Sequence, residues 1–422
     1  MENINQGDKI KVIFENKIIE GVFVSSENKF ITIKINSGYN LILEKRKIKN
    51  LELVEKKQKE KKEKKTITKN PSLPNVLLLH TGGTIASKVD YSTGAVTSRF
   101  SPEDIIEMFP EAMEIANIES RLIRQMWSDD LRFKHFSILA EEIQKQIKNY
   151  DGIIITMGTD NLAVASSALA FIIQKSPIPI LLIGAQRSSD RPSSDAKLNL
   201  LSALKFIAKS DFSGVAICMH SSSSDDCCSI LPPTKTRKLH TSKRNAFKPV
   251  NDTEIAKVYD EKIVFLKKDY LKKDPSRDPI IKPYMEDKVG LLKIHINMFP
   301  EQFKFYKKYN GLVIEGTGLG HTPGDVIDDI TEIHKDILPI IKKLAKKMPV
   351  VMTSQCLFGR VNMNVYSKGR ELLKAGVICG EDMLPETALV KLSWLLGNFS
   401  KEETKKLISK NLVGEINQKL TL

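Results

Sequence analysis

The sequence predicts an α/β protein with two parallel-sheet domains, preceded by a small β-barrel. Three observations support this: short β-rich runs near the N-terminus, a strand–loop–helix rhythm after Pro74, and a second such series from Val289. The predicted divisions are a barrel at 1–54, a lysine-rich linker at 55–72, an α/β domain with the candidate site at 73–270, a linker at 271–288 and a C-terminal α/β domain at 289–422.

The N-terminal segment has the pattern of a small β domain. Turn-forming residues separate four short runs within 10–53, and apolar residues alternate with other residues between Phe30 and Ile35. Ile31, Ile33 and Ile35 are therefore predicted to share one face of a strand. Because so few short strands cannot leave flat edges exposed, we expect closure into an SH3-like barrel.

The linker that follows is dominated by charge. Residues 56–65 hold seven lysines and two glutamates without an apolar residue. Two interpretations stay open: a solvated tether, or a salt-dependent contact with RNA phosphates. Lys and Arg number 65 and Asp and Glu 51, and this net charge of +14 favours contact with a polyanion or an acidic partner surface.

Composition also bears on location and cofactors. The five cysteines form no CxxC pair, and no secretory pattern opens the sequence, so we expect a cytoplasmic protein. The longest uncharged run, 161–174, is too short to cross a membrane. The glycine-rich segments lack the endings of nucleotide-binding loops, and the seven histidines show no metal-ligand spacing. No metal site and no cofactor are predicted in this chain.

The α/β part presents polar loops where its strands end. Near-continuous apolar runs predict parallel strands buried on both faces, at residues 76–79, 152–155, 178–183 and 215–219. Ligands bind such sheets at the carboxyl ends of the strands, where the loops after these runs fall. The last loop is serine-rich and is predicted to contain Cys227 and Cys228.

Hydroxyl groups are the reactive side chains of these loops. A threonine becomes nucleophilic when a neighbour removes its proton, and Thr159 and Asp160 place a hydroxyl beside a carboxylate. Gly83 and Gly158 allow backbone amides to approach a substrate and to donate hydrogen bonds to an oxyanion. Asp160 has an alternative interpretation as the N-cap of a helix over 162–173.

Two segments carry a family resemblance. Residues 81–87, with Tyr91 downstream, and residues 157–160 resemble, in order, the two signatures of the bacterial-type L-asparaginases. Over nearly its whole length the chain resembles, more narrowly, the D subunits of archaeal glutamyl-tRNA(Gln) amidotransferases. That likeness rests on the N-terminal barrel and on residues 237–242, 315–321, 354–356 and 359–366.

The resemblance implies an asparaginase-like fold and assigns roles to individual residues. Thr84 matches the nucleophile, and Thr159, Asp160 and Lys238 match the second hydroxyl, the orienting acid and the proton-relaying base. Which threonine forms the acyl-enzyme stays open.

Further positions match the substrate-binding parts of the family. Tyr91 matches a tyrosine on a mobile lid, and Ser128 a serine that contacts the substrate's α-carboxylate, while Gly83 and Gly158 belong to the signatures themselves. The chain departs from the pattern at Met157, usually histidine, and at Asn161, usually threonine, and we expect activity to survive both changes.

The implied reaction is hydrolysis of the glutamine side-chain amide, with asparagine as the alternative substrate. In the resembled complex, the partner E subunit uses ATP and Mg²⁺ to activate Glu-tRNA(Gln) and then aminates it with the released ammonia. The resemblance implies a homodimer of this chain within a heterotetramer. A free-standing cytosolic asparaginase and a non-catalytic tRNA-binding scaffold are the alternatives.

Overall fold

The fold was analysed in a computed structural model. It describes residues 4–56, 69–83, 108–187, 189 and 193–419, and the backbone of 88–89 and 96–97. Thr84, Tyr91 and all of the lysine-rich run except Lys56 lie outside the described residues. Among the described helices, none has the length and apolar character needed to cross a bilayer.

The N-terminal strands form one five-stranded antiparallel sheet, which confirms the predicted β structure. The strand order is β4-β3-β2-β1-β5. Ile31 and Ile33 are buried as the alternation predicts, and they pack with Ile10, Val12 and Leu43 in a small core. The strands are β1 (Lys9–Phe14), β2 (Lys17–Glu27), β3 (Phe30–Ile35), β4 (Asn40–Glu44) and β5 (Ile48–Glu55).

A second, eight-stranded sheet positions the candidate site. Its order is β18-β17-β14-β13-β12-β10-β6-β9, and the five strands from β13 to β9 are parallel. Its members are β6 (Asn75–His80), β9 (Asn117–Leu122), β10 (Gly152–Thr156), β12 (Pro179–Ile183), β13 (Gly214–His220), β14 (Cys227–Leu231), β17 (Ala256–Tyr259) and β18 (Ile263–Phe265).

Among the described residues, three strand pairs lie outside the large sheets. They are β7 (Lys88–Val89) with β8 (Val96–Thr97), β11 (Ile173–Gln174) with β19 (Ile280–Ile281), and β15 (Thr236–Lys238) with β16 (Phe247–Pro249). The prediction that Cys227 and Cys228 lie in a loop is wrong. Both are buried in β14, because the chain turns back after the serine-rich segment and adds an antiparallel strand.

The third sheet is parallel, and a continuous core joins it to the second. Its strands are β20 (Val289–Lys293), β21 (Gly311–Gly316), β22 (Val350–Ser354) and β23 (Ile378–Cys379). The helices are α1 (Phe133–Gln146), α2 (Leu162–Ile172), α3 (Ala196–Lys209), α4 (Pro300–Lys304), α5 (Ile337–Lys347), α6 (Ser367–Lys374), α7 (Pro385–Asn398) and α8 (Lys401–Leu407).

Helix α2 is the centre of that core. All its residues except Val164 are buried, because it lies between the second sheet and α7. Phe171 stacks on Trp394 of α7, with ring centroids 5.8 Å apart. The helix lacks a polar face because it is enclosed in this way.

A buried ion pair crosses between the two α/β units. The Lys235 ammonium lies 2.5 Å from an Asp382 carboxylate oxygen, and neither side chain is exposed to solvent. The other Asp382 oxygen accepts a hydrogen bond from the Asn417 backbone N–H at 3.0 Å. Burial lowers the pKa of Lys235, and the Asp382 carboxylate opposes that shift. Each charge therefore depends on the other for its solvation.

Removing one charge of this pair should destabilise the protein strongly. We expect Lys235→Met to lower the free energy of unfolding by about 3–5 kcal/mol, because Asp382 is left as a buried carboxylate without its counterion. Lys235→Met with Asp382→Asn should recover much of the loss, since the asparagine oxygen still accepts from Asn417. Denaturant unfolding measures both, and Lys304→Met is the control, because the Lys304 side chain is 40% exposed in a surface ion pair. Equal stability of the wild type and Lys235→Met would contradict the expectation.

Candidate active site

The predicted polar loops meet at one edge of the second sheet. Strands β12, β10 and β6 are adjacent and parallel, so the segments that follow them emerge side by side. The segment after β6 is tied to β10, because the Thr81 backbone N–H donates to the Thr156 carbonyl at 3.0 Å. The Thr81 hydroxyl donates to the same carbonyl at 3.2 Å. Loops far apart in sequence thus share one surface.

The structure brings three of the predicted site residues together. The Lys238 ammonium donates to the Thr159 hydroxyl at 3.0 Å and to an Asp160 carboxylate oxygen at 2.7 Å. The Lys238 side chain is 13% exposed and that of Asp160 61%, so the amine is sheltered while the carboxylate faces solvent. The arrangement gives a hydroxyl, an amine and a carboxylate in direct contact, as a proton relay requires.

Asp160 does not cap the following helix. Asn161 is the N-cap of α2, and no side-chain hydrogen bond caps that end. The Asp160 carboxylate accepts from Lys238 instead. The capping interpretation of Asp160 is therefore wrong, and its side chain belongs to the cluster with Lys238.

Several contacts hold the segment that ends in Lys238. The Ser166 and Ser167 hydroxyls on α2 both donate to the Pro233 carbonyl, at 2.8 and 2.9 Å. Lys235 is anchored on Asp382, and the guanidinium of Arg237 lies 3.3 Å from the Glu386 carboxylate. Burial raises the pKa of Glu386. Groups from both α/β units thus position the Lys238 amine. The sequence analysis did not predict the contacts from the C-terminal unit.

Gly83 and Gly158 are required by a close approach of two backbones. Gly83 has φ of +92°, and a Cβ there would lie 2.2 Å from the Gly158 nitrogen. A Cβ on Gly158 would lie 2.9 Å from the Ser128 Cβ and Oγ atoms. No side chain fits at either position, so the glycines let the first and second loops touch. Gly83 directly precedes Thr84 in the chain.

Ser128 is buried against the second loop. Its hydroxyl accepts from the Asn161 backbone N–H at 3.4 Å, and its carbonyl accepts from the Asn161 side-chain amide at 2.9 Å. Asn161, where this chain departs from the family pattern, therefore hydrogen-bonds to Ser128, which is predicted to bind the substrate. Met157, the other departure, is 1% exposed and packs in the apolar core beneath the loop. The contact of Ser128 with a substrate carboxylate stays a prediction.

Metal ligation is not indicated around these residues. Within the part of the chain that the structure describes, histidine, cysteine, aspartate and glutamate side chains form no group of three or more suited to a metal ion. The groups that meet here are the Thr159 hydroxyl, the Lys238 amine and the Asp160 carboxylate.

Two family profiles match the α/β part of the chain. The profile described as Asparaginase, N-terminal, matches residues 75–271, and the Glutaminase/Asparaginase C-terminal domain matches residues 288–408. The thermostable L-asparaginase from Thermococcus kodakarensis aligns with a TM-score of 0.72 and 32% identity over 82% of this chain and 100% of that one. L-asparaginase I from Vibrio cholerae gives 0.70 and 26% over 82% and 99%.

Curated relatives match the chain over nearly its full length. The glutamyl-tRNA(Gln) amidotransferase D subunit of Methanococcus maripaludis strain C5 is 44% identical over 426 residues, covering 99% of each chain. The protein of the same name from Pyrococcus furiosus is 43% identical over 432 residues, covering 98% of this chain and 95% of that one. The chain belongs to the asparaginase family and, within it, to the D subunits of the glutamyl-tRNA(Gln) amidotransferases.

Proposed function

We propose that this chain is the glutaminase component of a cytoplasmic glutamyl-tRNA(Gln) amidotransferase. It hydrolyses the side-chain amide of glutamine, with asparagine as a second substrate, and the released ammonia serves to convert Glu-tRNA(Gln) to Gln-tRNA(Gln). The observation that carries the proposal is the contact of Lys238 with Thr159 and Asp160 in a chain whose full-length relatives bear that name.

The chemistry follows from the groups present. A threonine hydroxyl attacks the amide carbon, and the Lys238 amine takes up its proton while Asp160 orients the amine. Lys238 returns this proton to the nitrogen of the tetrahedral intermediate, which expels ammonia and leaves an acyl-enzyme that water hydrolyses to glutamate. Backbone amides at Gly83 and Gly158 stabilise the oxyanion. Thr84 is the proposed nucleophile, and Thr159 the second hydroxyl, which passes protons to Lys238.

The remaining parts of the reaction are assigned to a partner. In this proposal the partner E subunit binds ATP and Mg²⁺ and recognises Glu-tRNA(Gln), whereas this chain carries no cofactor. Two copies of the chain form a homodimer within a heterotetramer, and Tyr91 and Ser128 bind the amino-acid substrate. The β1–β5 sheet lies outside both asparaginase profiles but within the full-length relatives, which supports assembly rather than a free-standing asparaginase.

Loss of the relay amine should abolish most turnover. We expect Lys238→Met to lower the rate of ammonia release from glutamine by about 10²–10⁴-fold, because the hydroxyl loses its proton acceptor. Lys243→Met is the matched control, since Lys243 is an exposed lysine in the same hairpin. An enzyme-coupled ammonia assay on the purified full-length chain measures both. Wild-type turnover of Lys238→Met would remove the amine from the mechanism.

The two threonines can be separated by trapping the acyl-enzyme. We expect Thr84→Ala to release no ammonia and to form no covalent adduct, whereas Thr159→Ala should be slow but still acylated. Intact-protein mass spectrometry after acid quench detects the adduct, and Thr84→Ser should restore part of the activity. An adduct on Thr84→Ala, absent from Thr159→Ala, would exchange the two roles.

Assembly can be tested by its effect on the amidase. We expect ammonia release by the wild-type chain to rise when a homologue of the E subunit and Glu-tRNA(Gln) are added together, because a glutaminase that feeds a second site wastes glutamine without its acceptor. Uncharged tRNA is the control. A rate unaffected by partner and charged tRNA, with asparagine preferred to glutamine, would favour the free-standing asparaginase.

A further inference from the structure

A buried histidine precedes the loop that contacts the β15–β16 hairpin, on which Lys238 lies. His220 ends β13 and has no exposed surface. Its Nδ1 atom lies 2.7 Å from the Asn199 side-chain oxygen, and its Nε2 atom lies 3.1 Å from an Asp225 carboxylate oxygen. Both ring nitrogens therefore face oxygen atoms.

These contacts fix the protonation state of the ring. The Asn199 amide nitrogen donates to the Gly184 carbonyl at 2.9 Å and to Asp195 at 3.2 Å, so its oxygen is the atom that faces His220. An amide oxygen and a carboxylate only accept hydrogen bonds, and a neutral imidazole has one N–H. His220 satisfies both contacts only as the doubly protonated imidazolium.

The surrounding charges favour that form. The Cys228 sulfur lies 4.0 Å from Nδ1 of the ring, and Asp225 in the following loop contacts Nε2. Asp195, the N-cap of α3, acts on the ring through its charge, and Cys218 on β13 contacts Cys228. Burial opposes protonation, but the Cys228 thiolate, Asp225 and Asp195 outweigh it, so the pKa of His220 lies above its ordinary value near 6.5. Burial would raise the pKa of the Cys228 thiol, but its contacts with Cys218 and His220 lower that pKa, which favours the thiolate. The nearby cations, Arg244 and Lys248, are bound to the loop rather than to the ring.

The loop held by His220 contacts the hairpin through two cations. Asp225 accepts from the Arg244 guanidinium at 2.5 Å, and Arg244 also donates to the Ser223 carbonyl. Lys248 donates to the Ser221 carbonyl at 2.7 Å. Arg244 lies in the connection between β15 and β16, and Lys248 lies in β16.

The hairpin transmits these contacts to the site. Lys248 is opposite Arg237 in the register of β15 and β16, and the next pair is Lys238 with Phe247. A shift of the serine-rich loop, residues 221–226, would therefore displace β15, the strand that carries Lys238. The displacement acts on the 3.0 Å contact between Lys238 and Thr159.

We propose that His220 is a positioning residue for the amidase, acting through Asp225 and Arg244 to hold the hairpin with the Lys238 amine against Thr159. The predicted effect of His220 on turnover rests on the proposed function, whereas the predicted effect on the position of the hairpin does not. The contribution of the charged ring is complete below its ordinary pKa near 6.5 and is lost as the pH rises through the raised value.

The test combines turnover with hydrogen exchange in the full-length chain. We expect His220→Gln to lower kcat for glutamine by about 10–100-fold with little change in KM, because misplaced relay atoms slow chemistry rather than binding. The decline of wild-type kcat at alkaline pH should be absent from the variant. Deuterium uptake in residues 239–249 should be faster in the variant, and in the wild type it should rise with pH more steeply than the intrinsic exchange rate of the amides does.

Variants outside the core, on the hairpin and on the loop, separate this effect from a folding defect. Arg244→Gln should reproduce the loss of kcat and the faster exchange, and Arg244→Lys should restore both in part. Asp226→Asn, in the same loop but bonded to Ser224, should behave as the wild type. Unchanged kcat, pH profile and exchange in His220→Gln or Arg244→Gln would overturn the proposal. A wild-type chain inactive on glutamine but with the expected exchange pattern would instead refute the proposed function alone.

Discussion

The position of the Lys238 amine depends on an ion pair that is buried away from water. Lys235 and Asp382 are both fully buried, and each would be strongly destabilised without the other. Lys235 lies in the turn directly before β15, and Lys238 is the last residue of that strand, so the ion pair anchors the start of the strand that carries the amine. Thr159 and Asp160, the residues that the Lys238 amine contacts, lie in the loop that follows β10. The candidate site is therefore a property of two packed α/β units rather than of one loop.

Periodicity predicted the parts of the fold that depend on local chemistry. The alternation in β3 gives Ile31 and Ile33 their buried face, and uninterrupted apolar runs mark the parallel strands of the second sheet. It failed at β14, where Cys227 and Cys228 follow a serine-rich turn without an intervening boundary signal. A short strand buried on both faces has no alternation to reveal it.

The candidate site likewise contains some residues that local sequence patterns predict and others that they do not. Strand ends predicted where Thr159 and Asp160 would lie, but only the family resemblance singled out Lys238, since its partners are 78 and 79 residues away. The sequence around Lys235 does not indicate a buried charge, because its counterion is 147 residues away. His220 has Asp225 five residues further on, but Asn199, which fixes the other ring nitrogen, belongs to a helix 21 residues away. Asn161 shows the opposite case, in which a departure from the family pattern supplies a new hydrogen-bond partner for Ser128.

The distance along the chain between Lys235 and Asp382 has a consequence for biosynthesis. During translation, every residue predicted for the relay leaves the ribosome well before Asp382 does. Until then the Lys235 ammonium lacks the carboxylate that compensates its burial in the folded chain. The growing polypeptide can therefore form this contact between the two α/β units only after it has been synthesised as far as residue 382.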